Sequence, residues 1–384
     1  MSANKSICIV GPSKRFLSGI SYYTIRLANA MSEEKNISVI CFRQLLPTFL
    51  FPGKSHVGKN ISDLNFSSEI PVYDGMDYNN PLTWIEAYNF IKNQKPDIII
   101  LQWWTSSVAH MQLMLKLFAQ LVHKPKIIIE FHEVVDPFEE SILPIRLYSK
   151  LTGKLLRRNL DAYITHSESD KQLVAERYAI KPEKIHVIPH GLYDQYGELL
   201  NSKDAKKTLK INEEFVVLSF GLIRKYKGIP YLIQAFESLP PTILKKSRLL
   251  IVGEIWDDKN ELLDQIRVSH AHDRITLVDE YVPDEKVNVY FSAANVVVLP
   301  YLRASQSGIA HIAMSFGKPV IVSEVGGLKE SMAGYEGTFF VPPGDVEAIQ
   351  KKIIDRMGDK ENYKPPDQKW DKIINRYIEL IHLI

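Results

Sequence analysis

Short runs of Ile and Val recur along the chain with helical patterns between them, and that alternation restricts the fold more than any other feature. Short apolar runs of this kind lie at 7–10, 37–42, 97–101, 126–131, 162–165 and 186–188. After a polar gap they resume at 215–220, 248–252, 275–278, 296–299, 319–322 and 338–341. Helical periodicity fills intervening stretches such as 22–31, 111–122, 171–179, 229–238 and 309–316. A strand apolar on both faces has to be covered on both, and strands alternating with helices build parallel sheets. With 384 residues the chain exceeds what one core normally holds. The expected class is therefore α/β, with two domains, each built on a parallel sheet covered by helices.

The break between them is legible in YDQYGELLNSKDAKKTLKINE, 193–213, which is polar, Lys-rich and without a strand pattern. It predicts domains over 1–190 and 191–365. Beyond Pro365-Pro366, the apolar residues Trp370, Ile373, Ile374, Tyr377, Ile378 and Ile381 share one helical face, so 366–384 is expected to form a helix that must dock somewhere, with the first domain a candidate. Net charge of +2 is too small to argue for nucleic acid. Cys8 and Cys41 sit inside apolar runs, which favours buried thiols over a disulfide framework or zinc site. MSANKSICIV has no apolar signal-peptide core, and no apolar run reaches membrane-span length. A cytoplasmic protein is expected, with peripheral contact to a membrane left open.

Open parallel sheets place ligands beyond the carboxyl ends of their strands. After the first strand, GPSKRFLSGISYY brings Gly19 to a helix start, either as a phosphate or sugar contact or as a tight turn. It is not G-x-G-x-x-G, so a nicotinamide site has little support. Gln102-Trp103-Trp104 follows the third run; adjacent residues of a strand face opposite ways, so one tryptophan is a candidate for the cleft, stacking on a sugar ring or an apolar acceptor, with plain packing as the alternative. Phe131-His132-Glu133 and Asp136 follow the fourth, suited to hydroxyl contacts or base work. His270 and His272 lie in a polar loop without further ligands at suitable spacing, and no metal site is expected.

FGLIRKYKGIPYLIQAF, 220–236, is the strongest local signal. Gly221 ends a strand, Arg224 and Lys227 follow, and Gly228 opens a helix. Two cations at a helix start make a diphosphate clamp, Arg as a fork and Lys as a point charge. In ASQSGIAHIAMSFGKPV, 304–320, Ser305, Gln306, Ser307 and Gly308 open another helix without any Asp or Glu. Val325-Gly326-Gly327-Leu328 with Glu330 follows the next strand. These hydroxyl, amide and glycine groups suit a sugar or phosphate; helix capping explains Ser305 or Ser307 alone.

SGISYY, FHE, HSESD, VIPHGL, FGLIRKYKG, LIVGE, VLPYL, FGKPVI and VGGLKE together resemble the retaining glycosyltransferases of family 4 over nearly the whole chain. The resemblance implies the GT-B fold, two facing Rossmann-like domains with a C-terminal helix crossing back to the first. It implies transfer of a sugar from a nucleotide-sugar to a hydroxyl acceptor with retention, without a metal or other cofactor. The first domain would be the acceptor side and the second the nucleotide-sugar side. His132, Arg224 and Lys227 would be catalytic. Gly19, Gly221, Glu254, Ser305, Gln306, Ser307, Gly308, Gly327 and Glu330 would meet the donor, and Trp103, Trp104 and Glu133 the acceptor. The family's Glu-x7-Glu pair falls on Ala304 and Ile312, so this site is a variant, with Glu330 or Glu254 as candidates for the ribose.

Arg146, Lys150, Lys154, Arg157 and Arg158 run beside Leu143, Leu147, Leu151 and Leu155 at helical steps. That fits either an anionic membrane surface, with a lipid-linked or saccharide acceptor in surface polysaccharide or glycolipid synthesis, or a core helix with a solvated basic face. Two other functions stay open. A nucleotide-sugar epimerase would need cleft carboxylates, of which only Glu133 and Asp136 are evident. A non-catalytic binding homologue is supported by the missing Glu pair.

Overall fold

Each of the Ile- and Val-rich runs forms a strand, and the strands assemble by the parallel rule. The computed structural model describes residues 5–13, 19–45, 64–136, 139, 142–358 and 362–384. It divides into two units, Met1–His190 with Gln368–Ile384, and Gly191–Asp367.

The first unit runs β1 (Ile7–Pro12), α1 (Gly19–Ser32), β2 (Ile37–Gln44), β3 (Val72–Asp77), α2 (Pro81–Gln94), β4 (Ile98–Trp103), α3 (Ala109–Val122), β5 (Lys126–Phe131), α4 (Leu143–Arg157), β6 (Ala162–Thr165), α5 (Glu168–Tyr178) and β7 (Ile185–Val187). Its sheet order is β3-β2-β1-β4-β5-β6-β7, with every pair parallel. The order reverses between β1 and β4, so the crevice of this sheet opens beside the residues that follow those two strands.

The second unit runs α6 (Ser202–Thr208), β8 (Phe215–Phe220), α7 (Ile229–Glu237), α8 (Pro241–Leu244), β9 (Ser247–Val252), α9 (Lys259–Val268), β10 (Ile275–Val278), α10 (Asp284–Ala293), β11 (Val296–Leu299), α11 (Gly308–Ser315), β12 (Val320–Ser323), α12 (Gly326–Met332), β13 (Thr338–Val341) and α13 (Val346–Asp355). The order β10-β9-β8-β11-β12-β13 is again all parallel and reverses between β8 and β11. Those are the strands that precede the Arg224 and Ser305 loops.

The last helix, α14 (Trp370–Leu383), belongs to the first unit. It buries Trp370, Ile373, Ile374, Tyr377, Leu380 and Ile381 in one cluster with Tyr23, Leu27 and Met31 of α1. Ile378, expected on the buried face, is only partly covered, and Leu380 takes the inner position. Lys5 clamps the helix end by donating to the Ile381 carbonyl at 2.7 Å. Cys8 and Cys41 are buried free thiols, and burial pushes Cys8 up to about 12.

Strand β3 was not foreseen. Its sequence, VYDGMD, has no apolar run, because it is an edge strand with only its last two residues buried. The basic segment forms α4 as expected, but its leucines do not enter a core. Leu143, Leu147, Leu151 and Leu155 are 57%, 58%, 61% and 44% exposed. The buried side consists of Ser149, Gly153, Leu156 and Arg157. Arg157 thus leaves the basic stripe and turns inward. Among the described residues no helix is long and apolar enough to cross a membrane.

Docking α14 removes several large side chains from water, so its centre should be costly to hollow. Ile374→Ala, at a position 2% exposed, is expected to lower unfolding stability by about 2–5 kcal/mol. The check is a lower guanidinium midpoint with an unchanged denaturant slope.

Candidate functional site

In the first unit, polar groups collect where β4 and β5 end. Glu130 is wholly buried near the end of β5. The Tyr23 hydroxyl donates to its Oε1 at 2.8 Å, Tyr377 of α14 donates to the same oxygen, and Gln102 of β4 donates its amide to Oε2 at 2.7 Å. Three donors converging on two oxygens satisfy the hydrogen-bonding capacity of a buried carboxyl group. Burial, reinforced by the Glu130 charge, holds both tyrosine hydroxyls well above their usual range, so they remain donors.

This network fixes His132. The Gln102 Nε2 faces a carboxylate that only accepts, so its Oε1 faces outward, against His132 Nε2. An amide oxygen accepts only, so the His132 proton sits on Nε2 and its Nδ1 keeps a free lone pair. The backbone N–H of His132 donates to the Trp103 carbonyl at 2.8 Å, fixing the residue beside β4. Burial, and secondarily the neighbouring His166, push its pKa well below 6.5. His132 is therefore a neutral, oriented acceptor.

His166 and His190 complete a buried group whose ring nitrogens, with those of His132, lie within 4.8 Å of one another. A tetrahedral zinc ion at its usual Zn–N length would draw such atoms to about 3.3 Å. As arranged, His166 Nδ1 donates to the Ile188 carbonyl at 2.9 Å and His132 Nε2 donates to Gln102 Oε1.

The other candidates of this unit divide. Gly19 is the first residue of α1 and exposed; the loop residues 14–18 before it lie outside the described residues. Glu133 is exposed. Asp136 is buried and accepts from Ser106 N at 2.9 Å and Ser149 Oγ at 2.8 Å, tying the β4 loop to α4. Trp103 is a correction. It is 0% exposed in the core, edge-on to Phe131, so it meets no acceptor. Trp104 packs half-buried against that same cluster. The alternation argument failed because β4 ends at Trp103, and the next residue no longer follows the strand's period.

In the second unit the β8–α7 turn is drawn tight by glycines. Gly228 has φ +66°, and a Cβ there would lie 2.0 Å from the Pro300 carbonyl oxygen; one on Gly253, φ +146°, would lie 2.2 Å from that of Gly221. Only glycine lets the loops after β9 and β11 approach the turn after β8. Arg224 gives its Nε to Asp257 at 2.7 Å, and Asp257 also accepts from Lys225 N at 3.2 Å. The guanidinium lies 5.6 Å from the Trp256 ring. Its terminal nitrogens make no hydrogen bond among the described residues. Lys227 is half-buried, its Nζ 5.4 Å from the Tyr301 ring and 3.4 Å from where a Gly221 Cβ would stand. No carboxylate pairs with it among the described residues. Burial lowers its pKa, with Tyr226 opposing and Arg224 reinforcing.

In the adjacent loop Ser307 caps α11, accepting from Ala310 N at 3.3 Å, and its hydroxyl lies 3.3 Å from that of Tyr301. Ser305 and Gln306 are half-buried. Both polar atoms of the Gln306 side chain are shielded from water without a hydrogen-bond partner among the described residues. Gly308 starts α11 against Tyr193. Ala304 turns its carbonyl to Gly326, and Ile312 is buried, so the expected carboxylate positions are apolar. Gly327 is buried in α12 and Glu330 is exposed on it. Glu254 accepts from Trp256 Nε1 at 3.0 Å. Tyr301, Asp257 and the Glu130–Gln102 pair were not singled out from the sequence. A lone Glu inside KIIIEF was the available signal for the last.

Two family models match the chain: "Glycosyl transferases group 1" over residues 201–372 and "Glycosyltransferase Family 4" over 17–195. A lipopolysaccharide 1,2-N-acetylglucosaminetransferase of Salmonella typhimurium is 24% identical over 276 residues, 65% of this chain and 72% of that protein. Sucrose-phosphate synthase from Thermosynechococcus elongatus superposes with a TM-score of 0.74 at 19% identity, covering 99% of this chain and 98% of the other. HepE of Anabaena, in complex with UDP and glucose, gives 0.72 at 16% identity, covering 99% and 100%. The fold is that of GT-B glycosyltransferases.

A neutral buried histidine destabilises the fold in acid. Unfolded, His132 takes a proton near pH 6.5; folded, it does so only well below that value. Its contribution is present above about pH 6.5 and is lost as pH falls below it. The melting temperature should drop between pH 7.5 and 5.5, less steeply in His132→Gln. Parallel slopes would assign the drop to other groups.

Proposed function

Because the chain belongs to the family-4 glycosyltransferases, we propose that it moves a sugar from a nucleoside-diphosphate donor to a hydroxyl of a saccharide or lipid-linked acceptor with retention of configuration, in surface polysaccharide or glycolipid synthesis. The observation that carries the reading is the Arg224–Lys227 pair. One guanidinium is braced by Asp257 on a single edge, and one half-buried ammonium has no carboxylate among the described residues. Both sit at a glycine-tightened turn at the reversal point of a parallel sheet. That is an anion site awaiting a diphosphate.

In the proposed reaction the donor's bond from C1 to the diphosphate oxygen breaks, and the acceptor oxygen bonds C1 on the same face. The acceptor's proton passes to the leaving diphosphate. Arg224 and Lys227 stabilise the charge that develops there, so no protein nucleophile and no metal is required. The lone pair on His132 Nδ1 suits a hydroxyl of the donor sugar. Ser305, Gln306, Ser307, Gly308, Gly221 and Gly327 are proposed to line the donor side, with Glu254 or Glu330 at the ribose. The unsatisfied Gln306 amide is the group in that loop most in need of a ligand. Gly19 is kept on the donor side. Glu133 and Trp104 are kept for the acceptor; Trp103 is not.

The exposed leucines of α4, flanked by Arg146, Lys150, Lys154 and Arg158, are proposed to rest on an anionic membrane. On that reading the enzyme works at the inner face of the cell membrane.

Thermal-shift titration with UDP, GDP, ADP and CMP and their sugar conjugates, with and without EDTA, tests the donor reading. One diphosphate family should raise the melting temperature regardless of EDTA. Arg224→Ala and Lys227→Ala should each weaken that binding about 10- to 100-fold, the worth of a charge-assisted hydrogen bond. Absence of any shift would favour the non-catalytic homologue, for which the apolar Ala304 and Ile312 already speak.

A further inference from the structure

Away from the strand ends, α4 and α5 enclose an open groove of about 700 Å³. Its walls carry Lys150 and Lys154 of α4, Arg158 just beyond it, and Lys181 and Lys184 before β7. The acid among the lining residues, Glu139, is already bridged to Arg177 at 2.6 Å. At the groove's floor lies Arg157, 8% exposed. Its guanidinium stacks 3.7 Å from the Tyr178 ring centre and lies 5.3 Å from that of Trp103. Its Nη1 has no hydrogen-bond partner, and no carboxylate reaches ion-pair distance among the described residues. Among the described residues only the longer-range charges of Glu139 and Asp136 act on this buried guanidinium, which leaves it suited to an anion that reaches it directly.

The surroundings say what. On the outer side of α4 stand Leu143, Leu147 and Leu151, all more than half exposed. Apolar side chains at one level and a cationic groove beside them match the layering of a membrane interface, acyl chains next to phosphates. Fork-shaped donors such as Arg157 favour an oxygen-rich terminal phosphate over a diester.

We infer that the groove between α4 and α5 is a headgroup site for an anionic lipid bearing a phosphate monoester or diphosphate, with Arg157 at its floor and the lysines at its rim. This rests on α4 lying against a membrane and gives that face a specific ligand. His132 is not among the residues that line the groove, so its occupant need not be the acceptor.

The test is sedimentation of the full chain with vesicles of phosphatidylcholine doped with phosphatidic acid, a monoester, or with phosphatidylglycerol, a diester, matched in surface potential. The monoester vesicles should bind about tenfold more tightly, the worth of about one extra charged hydrogen bond. The surface double variant Lys181→Ser/Lys184→Ser should erase that preference and keep the diester binding. Arg157→Lys, folded by circular dichroism, should lose most of it, since the fork and the stack are gone. Equal binding to both vesicles would overturn the headgroup site and leave the membrane reading of α4 intact. Binding to neither, with Leu147→Asp/Leu151→Asp no different from the parent chain, would overturn both. Protection of the groove by inorganic pyrophosphate without vesicle binding would reassign it to a soluble phosphate and overturn the lipid assignment.

Discussion

A carboxylate with no exposure at all, Glu130, is the interaction around which the first unit is organised. A charge buried in a parallel sheet survives only if donors reach it from every side. Here they come from α1, β4 and α14, through Tyr23, Gln102 and Tyr377. The last helix is therefore bonded into the polar centre of the unit as well as packed on its surface. Through Gln102 the same carboxylate sets which nitrogen of His132 carries its proton. Packing, charge and the chemistry of one imidazole are thus a single arrangement.

The second unit solves a different problem. Its cations must stand close together without a neutralising network, since a fully paired Arg and Lys would have nothing left for a ligand. Asp257 braces Arg224 along one edge only, and aromatic faces of Trp256 and Tyr301 support the two cations. Glycines at 228 and 253 bring neighbouring loops within contact of the turn. Capping of α11 by Ser307 shows that a hydroxyl-rich loop can serve the backbone first. Gln306, which serves nothing in the described residues, is left as its polar surplus.

Much of this was readable beforehand, for definite reasons. Strands buried on both faces announce themselves as apolar runs, and twelve such runs were found in sequence. Edge strand β3 was not, because one solvated face removes the signal. FGLIRKYKG was legible because turn, glycines and cations lie within nine residues. The Glu130 network was not, because its members come from positions 23, 102, 130 and 377. Trp103 was misplaced by applying strand alternation one residue past the end of β4.

Local sequence, then, determined what local physics controls: the alternation of strands and helices, the turns that follow them, the apolar face of α14 and the basic, leucine-lined character of α4. Tertiary structure alone decided which of those groups are charged and satisfied, which are charged and waiting, and which face water. Arg157 makes the distinction plain. In sequence it is one cation of a stripe with Lys154 and Arg158; in the fold it is buried beneath Tyr178 while the leucines beside it stand in solvent. Helical periodicity fixes which residues share a face, but only packing against α3 and α5 fixes which face turns inward.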